Sequence, residues 1–137
     1  MSLERLTYTS TATGSTGSLL NLAAILAESH RNNARDGLTG VLAAHRERYI
    51  QVVEGSASAL DSLLKRLGHD VRHRHIGILD RVPAHSRLFA DWTMASPRIT
   101  PAMQATLDGL MSAENPRPDE VLSLLVEAVR IGHSQPA

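Results

Sequence analysis

Tyr49-Ile50-Gln51-Val52-Val53-Glu54-Gly55 is the stretch on which the fold of this chain turns. Its β-branched and aromatic residues, closed by a glycine, predict a strand. Side chains alternate along a strand, so Ile50 and Val52 take one face while Tyr49, Gln51 and Val53 take the other. The primary amide of Gln51 therefore sits inside an apolar run. A buried amide needs partners for two N–H donors and a carbonyl acceptor. The backbone ladder of a sheet does not supply them, so another side chain or a ligand must.

Working outward, residues 38–44 predict a strand that reaches Tyr49 through a polar hairpin loop at 45–48. Residues 3–10 predict a first strand, with Leu6 and Tyr8 on one face and Arg5, Thr7 and Thr9 on the other. A small-residue loop at 11–17 separates that strand from a helix capped by Ser18 and running to about Asn32, its apolar stripe made by Leu19, Leu22, Ala23, Leu26 and Ala27. The stretch from Asn32 to Gly37 ends this helix, and Gly37 suits a positive φ. Downstream, Ser56 or Ser58 caps a second helix through about Leu67, with Leu60, Leu63, Leu64 and Leu67 on its apolar face. A polar connection at 69–75 leads to a fourth strand at 76–82 and a fifth at 87–94. Pro97 and Pro101 break the chain. Met103, Leu107, Leu110 and Met111 mark a third helix; Asp119 caps a fourth carrying Val121, Leu122, Leu125, Val126 and Val129. The order βαββαββ is an α+β, ferredoxin-like pattern with an added strand. It predicts a five-stranded mixed sheet, with two helices on one face and a C-terminal helical pair on the other.

Composition narrows the function. The 137 residues suffice for one core. Fourteen basic and fourteen acidic residues cancel, so no global field attracts nucleic acid or an acidic membrane. Cysteine is absent, which removes disulfides, thiolate metal sites, thiol catalysis and flavin–cysteinyl photochemistry. No run approaches the ~18 apolar residues of a membrane span, and the N-terminus lacks a signal-peptide core, so a cytoplasmic protein is expected. Redox or stacking chemistry has only Tyr8, Tyr49, Phe89 and Trp92 to draw on.

In this topology strands one and three are adjacent, so Tyr8 and Gln51 can meet on one face, with Asn33 just beyond the first helix above them. A phenol and two amides would line a slot between the helices. The alternative is a purely structural network in which Tyr8 satisfies Gln51 and Asn33 caps its helix. Other groupings carry less. Gly14 and Gly17 precede a helix without a phosphate-loop motif. His69, Asp70, His73 and His75 fall in a loop rather than on one helix face, so no metal site is expected. Arg72, Arg74 and Arg81 form a small basic patch without aromatic interleaving, which argues against nucleic-acid binding.

Five motifs in order resemble the BLUF family of blue-light sensors that use FAD. They are the opening strand at 6–10; Asn33-Ala34-Arg35 with the following Thr39-Gly40; the glutamine strand with its Glu54-Gly55 end; Asp70-Val71-Arg72-His73; and Trp92-Thr93-Met94. Together they cover about residues 3–96. The resemblance implies a non-covalently bound FAD. Tyr8 would be the photochemical electron and proton donor. Gln51 would lie between Tyr8 and the flavin N5/O4 edge and switch its hydrogen bonds. Asn33 would hold the imide edge, Asn32 would lie beside the ring, and Ile25 would pack on it. Asp70, Arg72 and His73 would border the pocket from the other side. Met94 and Trp92 would sit on the last strand near Gln51 and relay its change. The chain departs from the pattern at Gly68 and His69, where many members carry an arginine; Lys65 and Arg66 are nearby cations that the motif does not fix.

The expectation is thus a stand-alone photoreceptor rather than an enzyme. Residues 1–96 form the flavin-binding core, and 97–137 a helical extension of the same compact unit, too short for a catalytic output domain. Signalling would pass to a protein partner or through a change of homo-oligomeric state. The rivals are a non-photoactive ferredoxin-like module for a small ligand or for oligomerisation, and a small flavin-dependent redox enzyme.

Overall fold

A computed structural model describes residues 3–12, 19–46, 48–69, 73–112 and 117–134, with the side chains of 12, 19–23, 73–75 and 132–134 left aside. The predicted turn with Gly14 and Gly17, the Ser18 cap, Asp70 and Arg72 lie outside the described residues, as do the side chains of His73 and His75. Strand β1 (Leu3–Ala12) is followed by helix α1 (Leu19–Asp36), the hairpin β2 (Thr39–His45) and β3 (Arg48–Ser56), helix α2 (Ala57–His69) and strand β4 (His73–Pro83). Two further helices follow, α3 (Pro101–Ser112) and α4 (Pro118–Ser134). The sheet order is β2-β3-β1-β4, every neighbouring pair antiparallel. Among the described residues the sheet therefore has four strands, not five, and is not mixed.

The missing fifth strand has a physical cause. Pro83 closes β4, and the amides of Leu88 and Phe89, which a ladder would need, are taken by the Glu54 carboxylate at 2.7 and 2.9 Å. Only the end of the segment pairs. Gly40 N–H donates to the Trp92 carbonyl at 3.1 Å, Ala95 N–H to the Gly40 carbonyl at 2.8 Å, and Leu42 N–H to the Ala95 carbonyl at 2.8 Å. The result is one parallel bridge, Val41 to Ala95, on the outer edge of β2.

Helix ends follow local chemistry. α1 runs past Asn32 to Asp36, so Asn33 lies in its last turn rather than beyond it. There Gly37 takes φ 70° and Leu38 N–H returns to the Asn33 carbonyl at 2.9 Å, a Schellman closure that only glycine adopts cheaply. Ser56, not Ser58, caps α2 through its Oγ to Ala59 N–H at 3.2 Å. Thr100 caps α3 through Met103 N–H, with Pro101 at the first helical position. Asp119 sits inside the first turn of α4 beside Glu120 rather than capping it, where both carboxylates face the positive end of the helix dipole.

The sheet divides two cores. Leu6, Tyr8, Leu38, Leu42, Tyr49 and Val53 pack against Ile25 of α1 and Leu60 and Leu67 of α2. Val41, Ala43, Ile50 and Val52 pack against Leu107 and Met111 of α3 and Val121, Leu125 and Val129 of α4. Each of the leucine, isoleucine, valine and methionine side chains, fully buried, contributes about 1.5–3 kcal/mol. Arg81 of the basic patch is neutralised by Glu4 at 2.7 Å and Asp61 at 2.8 Å.

At the hairpin, Asp108 of α3 accepts from Arg46 at 3.0 and 2.7 Å and from His45 Nε2 at 2.8 Å. The Arg46 guanidinium, with His45 beside it, pulls the Asp108 carboxyl down to about 2. A depressed carboxyl contributes stability that is whole above its unfolded value, about 3.9, and is lost as pH falls through about 2. Asp108→Asn should therefore speed amide exchange in α3 at neutral pH. Acidification between those two values should loosen α3 in the parent protein and change the variant less, as hydrogen exchange resolved by segment would report.

Candidate cofactor site

β1 and β3 pair so that Tyr8 lies directly opposite Gln51. Both belong to the α1–α2 face, and both are buried, Tyr8 completely and Gln51 to 3% exposure. The Gln51 side chain is thus a primary amide enclosed in an apolar face. A buried primary amide needs partners for its donors and its acceptor, and these suit a polar ligand edge. Asn33, buried to 2%, approaches the same face from the last turn of α1. Its Nδ2 donates to the Thr93 carbonyl at 2.5 Å, which leaves its Oδ1 as an acceptor. Ile25 is buried in the same cluster, and Asn32 is half-buried next to Asn33. Tyr8 and Ile25 thus share one apolar cluster, Gln51 stands opposite Tyr8 on the same sheet face, and Asn33 lies in the last turn of α1.

The segment after β4 closes this face. His30 Nδ1 and the Thr93 hydroxyl lie 2.6 Å apart, so Thr93 is held by His30 and Asn33, three residues apart on one face of α1. The next residue, Met94, is buried in the cluster of Tyr8. Trp92, expected beside it, instead packs half-buried against the α3–α4 core. The two residues expected on one strand near Gln51 are therefore divided between the two faces of the sheet. Without strand geometry between 89 and 95, alternation no longer dictates their sides. Arg66, one of the two cations near the end of α2, is engaged by Asp36 at 3.1 Å. The Arg35 guanidinium beside Asp36 holds that carboxyl below the usual range.

Sequence reasoning did not find the polar anchor on the opposite face. Glu54 is completely buried. Besides the Leu88 and Phe89 amides it accepts from Arg5 Nε at 3.1 Å and Thr39 Oγ1 at 3.3 Å. Arg87 completes the lattice, donating to the Thr39 hydroxyl and the Gly37 carbonyl at 2.8 Å and to the Glu54 carbonyl at 3.0 Å. The available signal was Glu54's position in a strand otherwise apolar on that face. Its partners are 15 to 49 residues away in the chain and show no local pattern.

The arrangement matches a known family. The model of the sensors of blue light using FAD covers residues 3–95. The chain belongs to the BLUF family. FAD is the cofactor that defines the family, and the buried amide of Gln51, the Asn33 acceptor and the apolar wall fit a flavin's polar edge and flat ring. Among curated relatives, a photoactivated adenylate cyclase subunit beta of Euglena gracilis is 34% identical over 109 residues. That match takes in 79% of this chain and 12% of the relative. The corresponding subunit of Euglena longa matches to the same extent. The chain thus spans about an eighth of the length of these relatives. Among solved structures, the BLUF protein BlrB in its dark state superposes with a TM-score of 0.78 at 28% identity, covering 98% of each chain. A bacterial light-regulated adenylyl cyclase superposes with a TM-score of 0.73 at 27% identity, covering 93% of this chain and 40% of its own.

The Thr39-Gly40 motif of this BLUF chain has a steric reason. A Cβ at Gly40 would lie 2.2 Å from the Val52 carbonyl oxygen. Gly40 also makes two of the three backbone bonds to the Trp92–Ala95 stretch. Gly40→Ala should cost about 1–3 kcal/mol through forced displacement of backbone and release that stretch, measured as a lowered melting temperature with faster exchange at Ala95.

Proposed function

We propose that this BLUF protein is a blue-light receptor in which Tyr8 and Gln51 perform the switch, and that the segment ending at Met94 carries it to the C-terminal helices. When bound, FAD supplies the blue-light absorption and an excited state that accepts an electron. Tyr8 is the one phenol opposite Gln51, and it serves as electron and proton donor. The Gln51 amide offers both a donor and an acceptor, so rotation or tautomerisation rewires its bonds without creating buried charge. The Asn33 Oδ1 suits an imide N–H, with Ile25 against the ring and Asn32 beside it. The carrying observation is the direct register of Tyr8 and Gln51 on one buried face of the sheet.

Met94 then feels the rearrangement from within the same cluster, while Trp92 touches the α3–α4 core. A signal leaving by that route reaches a protein partner or a second copy of the chain. The cyclase activity named for the longer relatives is not assigned here; the chain acts as a sensor. No helix among the described residues is long and apolar enough to cross a membrane, and the receptor is read as cytoplasmic.

Purified protein should be yellow and release FAD on denaturation; a colourless protein that does not take up added FAD would overturn the reading. Asn33→Ala should weaken FAD binding by about 1–3 kcal/mol, seen by titration of the apoprotein. Tyr8→Phe should keep the flavin and lose the photocycle. Gln51→Leu, close in volume, should bind FAD yet show no red-shifted state in the light-minus-dark spectrum. If Gln51 only satisfied a core network, that variant would lose about 1–3 kcal/mol of stability and keep its light response.

A further inference from the structure

β3 carries a second buried polar side chain three residues after Gln51, and an odd spacing places it on the opposite face of the sheet. Both oxygens of Glu54 are engaged. Oε2 accepts from Arg5 and from Leu88 N–H, and Oε1 from Thr39 and from Phe89 N–H. Burying a carboxylate is costly unless its lone pairs are filled by well-placed donors, and here four donors converge. Two of them are consecutive backbone amides of the segment that ends in Trp92, Thr93 and Met94.

That segment has three parts. Its root, Leu88 and Phe89, is fixed by Glu54. Its middle, Ala90 and Asp91, is exposed. Its tip, Trp92 to Ala95, is docked on β2 by three backbone bonds and on α1 by the Thr93 contacts to Asn33 and His30. Root and tip are joined by a turn in which Trp92 N–H donates to the Phe89 carbonyl at 3.0 Å. The tip therefore shares Asn33 with the cofactor site, while the root is held by Glu54 from the opposite face of the sheet. An element anchored at its root can pivot about that anchor between two placements of its tip.

We propose that Glu54 is a positioning residue of the light switch: it fixes the root about which the Trp92–Ala95 tip pivots, and so sets the strength with which the tip returns to its dark placement. The inference rests on Gln51 and Met94 acting as described above. Arg87 belongs to the same device, because it ties the root to Thr39, to the Glu54 carbonyl and to the end of α1 at Gly37.

Glu54→Gln tests this in the full chain with FAD bound. The amide keeps the shape but points an NH₂ at groups that are themselves donors. Arg87→Met acts on the half-buried rim of the same lattice and carries the test if Glu54→Gln does not fold. Two readouts are compared with the parent protein. In the dark, amide exchange at Gly40, Leu42 and Ala95 should quicken by about tenfold or more while the β1–β3 ladder keeps its protection. After a blue flash, dark recovery should slow by about three- to tenfold, the effect of weakening charge-assisted hydrogen bonds that favour the dark placement. Faster exchange throughout the sheet, with a lower melting temperature and unchanged recovery, would reduce Glu54 to a stability residue and overturn the proposal. The dark exchange comparison does not need a photocycle. If the parent protein gave no light response, unchanged exchange at the tip would still overturn the positioning role. Quickened exchange would leave that role standing and count against the Tyr8–Gln51 switch instead.

Discussion

β3 is covered on both faces, and every residue from Tyr49 to Gly55 is buried. A strand in that position can hold a polar side chain only where something specific receives it. This chain places two there. Gln51 faces α1 and α2, where a cofactor edge can meet it; Glu54 faces the other way, where four donors converge on its two oxygens. The rest of the molecule is arranged around these obligations. β1 brings Tyr8 to one and Arg5 to the other from opposite faces of a single strand, and the stretch after β4 is bent as it is because its amides answer Glu54.

Most of the fold was legible because it is written in short-range terms. Alternation in β1, β2 and β3, the leucine spacing of α2 and the glycine at 37 all report on neighbours within a few residues. The added strand was misread for the complementary reason. Residues 87–94 have strand-like composition, but their amides are captured by a carboxylate more than thirty residues away. Nothing local to Leu88 or Phe89 announces that capture. The end of α1 was placed some four residues early for a related reason: Asn32 and Asn33 look like terminators, while the Schellman closure at Gly37 and the hold of Asn33 on Thr93 keep the last turn wound.

At the site, Tyr8 and Gln51 could be paired from topology alone, since a split βαβ arrangement makes β1 and β3 neighbours. Asn33 lies in the last turn of α1, where its amide holds the Thr93 carbonyl. The division of Trp92 from Met94 was not readable, because it arises where strand alternation has broken down. Trp92 faces the core of α3 and α4 and Met94 the core of Tyr8, so a stretch of a few residues touches both interiors. This is a more economical connection between the two faces than a regular strand, whose residues 92 and 94 would share one side.

The tip on β2 has a further consequence for the behaviour of the protein in solution. An outer strand with free backbone groups is a template onto which another chain can add, and folded proteins commonly blunt such borders. Here the outward-facing groups of Gly40 and Leu42 are occupied by Trp92 and Ala95, so the β2 border is blunted by a stretch too irregular to extend the sheet. The opposite border, β4, carries the exposed Ile78 and ends at Pro83, a residue that has no amide to offer an incoming strand. The sheet thus finishes on its β2 side in chain that discourages stacking of one molecule on the next, while the β4 side is blunted only at its Pro83 end.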